Sequence, residues 1–167
     1  MPRILLLFIA LSLSGSVLGQ NSLDKLLRTL NEESVPYISV DTLRMLQEND
    51  DIIICDSREL EEFEVSSIDG AIYVGYNEFK DDQIASLNAD RNTPIVIYCS
   101  LGVRSEDIAE RFQKAGYTNV KNLYGGIFEW KNKGYPVVDS TGTETERVHA
   151  FSKAWGKWLK NGKRVYD

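Results

Sequence analysis

Cys99 and Arg104 bracket the chemistry this sequence is equipped to perform. They enclose Ser100-Leu101-Gly102-Val103, a C-x4-R spacing, and Ser105 follows. Ahead of the cysteine runs Ile95-Val96-Ile97-Tyr98, and behind Arg104 apolar residues recur at Ile108, Ala109, Phe112 and Ala115. The first pattern predicts a buried strand, the second a helix face stopped by Gly116. Backbone N–H groups of a short loop curling into a helix N-terminus converge and stabilise an anion. Arg104 acts in the same direction, so Cys99 is expected to serve as a thiolate nucleophile. Gly102 supplies the positive φ or close approach that such a curl needs. Glu106 and Asp107 fall in the first helical turn, where the dipole accepts acids.

The elements that position this loop follow from the pattern on either side. Ile52-Ile53-Ile54-Cys55, ended by Asp56, reads as a buried parallel strand. Asp56-Ser57-Arg58 then lies on the same sheet edge as the Cys99 loop, the carboxyl edge where open α/β sheets bind ligands. Tyr37-Ile38, Ala71 to Val74 and Val120 to Leu123 supply further strands. Ser39 caps a helix carrying Leu43 and Leu46, and Asn77 to Ala89 holds another with Ile84 and Leu87 inward. The alternation predicts an α/β fold, a mostly parallel central sheet with helices on both faces.

Tyr98-Cys99-Ser100-Leu101-Gly102-Val103-Arg104-Ser105 resembles the active-site loop of rhodanese-like sulfurtransferases. Cysteine phosphatases have a loop one residue longer, C-x5-R, which surrounds a tetrahedral phosphate; the tighter loop leaves room for one extra sulfur atom. Asp56-Ser57-Arg58, Glu62-Phe63 and Ile68-Asp69-Gly70-Ala71 resemble the family's second motif region, with Ser67 and Asp69 where His and Pro often stand. Leu123-x-Gly125-Gly126-x-x-x-Trp130, followed by Gly134-Tyr135-Pro136-Val137, resembles its closing signature, the glycines and Trp130 being packing devices. The resemblance covers Ile38 to Val138 and implies the three-layer rhodanese-like fold.

It also implies an activity: transfer of sulfane sulfur from thiosulfate or a persulfide to cyanide or a thiol, through a Cys99 persulfide, with neither cofactor nor metal. Ser100, Leu101, Gly102, Val103, Arg104 and Ser105 would bind the donor, Arg104 by attracting a small sulfur-containing anion. Asp56 and Arg58 would support the loop, Asp56 by bonding loop N–H groups or pairing with Arg104 or Arg58. Leu101 and Val103 give the loop an apolar lip, which admits a persulfide or a protein thiol as the natural partner. Two other functions fit the same residues: a non-catalytic binding or redox-sensing module, and a cysteine phosphatase or arsenate reductase.

The 167 residues are 43% hydrophobic and 26% charged, as in one globular domain, and a net charge of −6 argues against general nucleic-acid binding. Arg3, the apolar run Ile4 to Leu13 and the small residues of Gly15-Ser16-Val17-Leu18-Gly19 read as a secretory signal peptide over 1–19. Export to a periplasm or the extracellular space is expected, an uncleaved membrane anchor being the other reading. A helical lead-in (20–36), the main domain (37–138) and a C-terminal extension (139–167) follow. In an oxidising compartment Cys55 and Cys99 either form a disulfide or stay free, Cys55 as a small buried residue. In the extension, Phe151, Trp155, Trp158 and Leu159 are expected on one face of an amphipathic helix stopped by Asn161-Gly162. That helix is expected to pack on the domain rather than touch a membrane; a lid over Cys99 is a further option. His149, the single histidine, is read as structural, and no metal-ligand spacing, dinucleotide fingerprint or phosphate-binding loop is present.

Overall fold

The computed structural model describes residues 22–48 and 52–166. The expected signal peptide lies outside them. A helix, α1, covers residues 22–30. Of the described residues, 22–32 belong to one unit and those from Glu33 onward to a second, which holds all the remaining elements.

The second unit is built on a five-stranded sheet: β1 (Tyr37–Ile38), β2 (Ile53–Asp56), β3 (Ile72–Tyr73), β4 (Ile95–Tyr98) and β5 (Val120–Leu123). Their spatial order is β1-β5-β4-β2-β3, and every pairing is parallel. Between the strands run α2 (Val40–Gln47), α3 (Leu60–Val65), α4 (Asp81–Ser86) and α5 (Arg104–Lys114). From β2 the chain steps outward to β3 through α3, and from β4 it steps the opposite way to β5 through α5. Right-handed crossovers in opposite directions place their helices on opposite faces. The point of reversal lies between β2 and β4, whose carboxyl ends carry Asp56 and Cys99. Such a crevice is where a doubly wound sheet accepts ligands.

Each element has a local cause. Ser39 Oγ accepts the Thr42 N–H at 3.1 Å and caps α2 as its sequence predicts. All four β4 residues are buried, which their unbroken apolar run requires. Ile95 and Ile97 pack with Ile108, Ala109 and Phe112 of α5, and with Cys55. The helix expected over Asn77 to Ala89 is confined to Asp81–Ser86: Gln83 Oε1 accepts the Lys80 N–H at 2.7 Å and closes its start, and Asn88 at a φ of +46° turns the chain away.

The extension departs from its sequence expectation. After α6 (Gly126–Asn132), β6 (Val137–Val138) pairs antiparallel with β7 (Glu144–Thr145), and β8 (Arg147–His149) pairs parallel with β9 (Lys163–Val165). The helix between β8 and β9, α7, is only Lys153–Gly156. Phe151 precedes it, Trp158 and Leu159 follow it, and no amphipathic face forms. Two causes act. Asn132 Oδ1 accepts the amides of Lys160 and Asn161, at 2.7 and 3.1 Å, fixing a non-helical course. β9 then returns to β8, and β8 lies against α3. Among the described residues no helix is long and apolar enough to cross a membrane.

Candidate active site

Cys99 stands one residue beyond β4, and the curl from Ser100 to Val103 delivers the chain into α5 at Arg104. Gly102 has a φ of +105°, and its N–H points at Cys99 Sγ, 3.2 Å away. A Cβ on Gly102 would stand 3.1 Å from the Leu123 carbonyl oxygen, so φ calls for glycine and the space for a side chain is tight.

The loop is fixed from two sides. Ile127 N–H donates to the Cys99 carbonyl at 3.0 Å and Phe128 N–H to the Ser100 carbonyl at 3.2 Å. The first turn of α6 therefore draws these loop oxygens away from the sulfur. Gly126, at a φ of +56°, makes that approach feasible: a Cβ there would meet the Cys99 carbonyl oxygen, with Ser100 carbonyl carbon at 2.7 Å. From β5, Asn122 Nδ2 donates to the Gly102 carbonyl at 2.8 Å, and Asn122 Oδ1 accepts Ser105 Oγ–H at 2.7 Å. Ser105 Oγ also lies 3.5 Å from Sγ, but its one proton favours the shorter bond, so Ser105 mainly ties α5 to β5.

Arg104 does not stand free at the mouth. Its Nη1 donates to Glu62 Oε2 at 2.7 Å and its Nη2 to Glu62 Oε1 at 2.9 Å, a bidentate pair in which both partners are buried. Ser100 Oγ joins the network, donating to Glu62 Oε1 at 3.1 Å and accepting from Arg104 Nη2 at 3.0 Å. Burial alone would raise the Glu62 carboxyl, but the hydrogen bonds and charge of Arg104, with Arg58 adding, hold it below the ordinary range. For Arg104, burial opposes the charge; the Glu62 bonds and the charge of Cys99 outweigh it and raise the guanidinium.

Asp56 and Arg58 form a second buried pair. Of the partners open to Asp56, the structure selects Arg58, with Nη2 to Oδ2 at 2.6 Å and Nε to Oδ1 at 3.0 Å. Arg58 Nη2 also donates to the Ser66 carbonyl at 2.6 Å, and its guanidinium lies 5.7 Å from the Tyr98 ring centre. Ser57 reaches β4 directly, its N–H and Oγ–H both on the Tyr98 carbonyl at 2.9 Å. This cluster supports the strand that leads to Cys99, while the Glu62 pair supports the loop itself. Leu101 is buried with the loop and Val103 is half-buried at the mouth.

Sequence reasoning gave Glu62 and Asn122 no role. Glu62 is visible as an acid at the third position of α3, where its Oε2 accepts the Glu59 N–H at 3.0 Å, but its second task depends on tertiary placement. Asn122 has a clearer signal: an amide on the inward side of a strand, between Val120 and Leu123, requires buried partners. Cys55 and Cys99 are both free thiols, so the disulfide alternative is not realised in this structure.

Comparison with known proteins bears on the fold and the family. The chain aligns with the putative sulfur carrier protein YrkF of Bacillus subtilis, 33% identical over 104 residues, covering 62% of this chain and 55% of that protein. It spans about half the length of that relative. The thiosulfate sulfurtransferase GlpE of Coxiella burnetii is 30% identical over 81 residues, covering 48% of this chain and 73% of the relative. Among solved structures, the BH2092 protein of Bacillus halodurans superposes with a TM-score of 0.57 at 23% identity, over 71% of this chain and 88% of its own. The family model for the rhodanese-like domain matches residues 39–133, more than half of the sequence, and the chain belongs to that family.

Proposed function

We propose that the protein is an exported sulfurtransferase that carries sulfane sulfur on Cys99. The observation that carries this reading is the Gly102 N–H aimed at Cys99 Sγ in a C-x4-R curl whose Cys99 and Ser100 carbonyl oxygens are tied to α6. Donors aimed at a sulfur favour negative charge on it, in the attacking thiolate and again in the persulfide.

The cycle has two displacements. Cys99 thiolate attacks the outer sulfur of thiosulfate; the new S–S bond forms as the old one breaks, and sulfite leaves with the electron pair. Cyanide or a thiolate then attacks the outer sulfur of the Cys99 persulfide, departs carrying it, and restores the thiolate. No external oxidant or reductant enters. Initial-rate plots at several cyanide concentrations are expected to give parallel double-reciprocal lines, as covalent turnover requires. Intersecting lines, or thiocyanate formation surviving in Cys99→Ser, would contradict the reading. Absence of phenyl phosphate hydrolysis would set aside the phosphatase alternative.

One feature favours the non-catalytic module: Cys99 has no exposed surface. A thiol that resists alkylation in the native protein and takes up no sulfur would support that second reading. Export rests on the sequence of 1–19 alone, and a mature N-terminus at Gln20, read by mass spectrometry of the secreted protein, is the expected result.

A further inference from the structure

The extension brings an aromatic ring onto Arg104, the residue at which the Cys99 loop enters α5, from a position beyond the family-matched region. The Phe151 ring lies over the guanidinium of Arg104, its centre 4.5 Å from Cζ. Phe151 occupies the centre of a tight turn in which the Ser152 N–H donates to the Ala150 carbonyl at 2.7 Å, with a φ of +62°. A γ-turn of this hand is rare and strained, more so for a bulky residue. The surroundings hold it there. His149 Nδ1 accepts the Phe151 N–H at 3.2 Å, Ala150 N–H donates to the Val165 carbonyl at 2.7 Å, and the Trp155 ring packs on Phe151 with centres 4.9 Å apart. Burial does not explain this strain, because Phe151 remains 43% exposed. Strain maintained around an exposed ring is the pattern expected of a functional position.

The same contacts limit what Arg104 offers a donor. Glu62 matches its charge and takes one N–H from each terminal nitrogen, Ser100 Oγ takes another, and Phe151 covers one face. A guanidinium whose charge is already matched by a buried carboxylate attracts a small dianion such as thiosulfate less than a free one would. A second aromatic residue, Tyr76, meets the first turn of α5. The Tyr76 hydroxyl donates to Asp107 Oδ2 at 2.6 Å, and this bond, then burial, pushes the phenol up to about 12, while the charges of Arg104 and Cys99 both act on it. Two aromatic residues, Phe151 and Tyr76, thus contact the first turn of α5, where the Cys99 loop ends.

We infer that Phe151 is a specificity-determining residue whose ring makes organic persulfides, R–S–SH with an aromatic or other apolar R group, the preferred donors over thiosulfate. This rests on the Cys99 sulfur-transfer reading above. The R group packs on the Phe151 ring, and the outer sulfur faces Cys99. Cys99 thiolate forms the new S–S bond to that outer sulfur, the R–S bond to it breaks, and the electron pair leaves on R–S⁻. The proton of the donor stays with the transferred sulfur, and nothing is oxidised or reduced overall.

The test compares kcat/KM for benzyl persulfide, generated in situ, with that for thiosulfate, using the full mature chain. Wild type is expected to prefer benzyl persulfide about tenfold, the size of one aromatic contact. Phe151→Gly removes the ring and suits the positive φ, so it is expected to fold and to lose that preference about tenfold. Phe151→Tyr keeps the ring and should keep the preference. An unchanged ratio in Phe151→Gly, even with both rates lowered equally, overturns the inference and leaves sulfur transfer by Cys99 standing. A wild-type protein whose Cys99 gains sulfur from neither donor overturns both.

Discussion

Cys55 lies within β2 and Cys99 one residue beyond β4, on strands that are direct neighbours in the sheet, and both side chains are fully buried. Their surroundings differ in kind. Cys55 packs among Val74, Ile84, Ile97 and other apolar residues of the core. Burial first, then the charge of Asp56, pushes its thiol up to about 12. Cys99 has left the ladder, and its sulfur meets the Gly102 N–H. Depth in the protein therefore does not separate Cys55 from Cys99, the thiol proposed to react. Departure from the strand does, because the N–H groups of a paired strand are spent on the ladder, whereas those of a loop are free to meet a side chain.

The comparison breaks most sharply in turnover. Cys99→Ser is expected to lower sulfur transfer by at least about a thousandfold, as loss of a covalent nucleophile does. Cys55→Ala should keep turnover within about twofold while costing about 1 kcal/mol of stability, a common value for a core substitution. Steady-state thiocyanate formation and urea titration of both variants measure these two effects, and equal losses of turnover would erase the distinction.

A second test disturbs only the Cys99 loop. Gly126→Ala places a Cβ against the Cys99 and Ser100 backbone and imposes a positive φ on alanine. A loss of about 2 kcal/mol or more is expected, with a larger proportional fall in sulfur transfer than in stability. Thermal unfolding and initial rates on one preparation give both numbers.

Acid stability probes the ion pair beneath the loop. The folded Glu62 carboxyl is held below its unfolded value, near 4.3 for a free glutamate. Its contribution is complete above that unfolded value and is lost as pH falls through the folded one. Glu62→Gln, which leaves Arg104 buried without its counter-charge, is expected to cost about 3 kcal/mol at neutral pH and to flatten this acid limb. An unaltered acid limb would remove the pair from the account.

The smallest effect concerns Cys55 at high pH. Its folded value, raised from 9.0 to about 12, means that the unfolded chain releases this proton first. Stability linked to Cys55 is therefore intact below about pH 9 and lost as pH rises toward 12. Cys55→Ala should show a shallower alkaline decline in denaturant titrations between those limits.

The sheet and the Cys99 loop were legible in the sequence because they rest on local signals. Apolar runs mark β2 and β4, Ser39 caps α2, and Gly102 and Gly126 stand where φ is positive. The partners of the site were less legible. Glu62 reaches Arg104 across 42 positions and Asn122 reaches Gly102 across 20, and no local pattern encodes either distance. The extension misled for a related reason. Its aromatic spacing fits a helix, but side-chain capture by Asn132 and the return of β9 to β8 outweigh a weak local propensity.

The most direct measurement is the intact mass of the mature protein after incubation with a sulfane donor, followed by peptide mapping. The account predicts a gain of one sulfur, about 32 Da, located on the peptide containing Cys99 and removed by cyanide, with the Cys55 peptide unmodified. Sulfur found on Cys55, or no sulfur on a Cys99 that still alkylates freely, would contradict it.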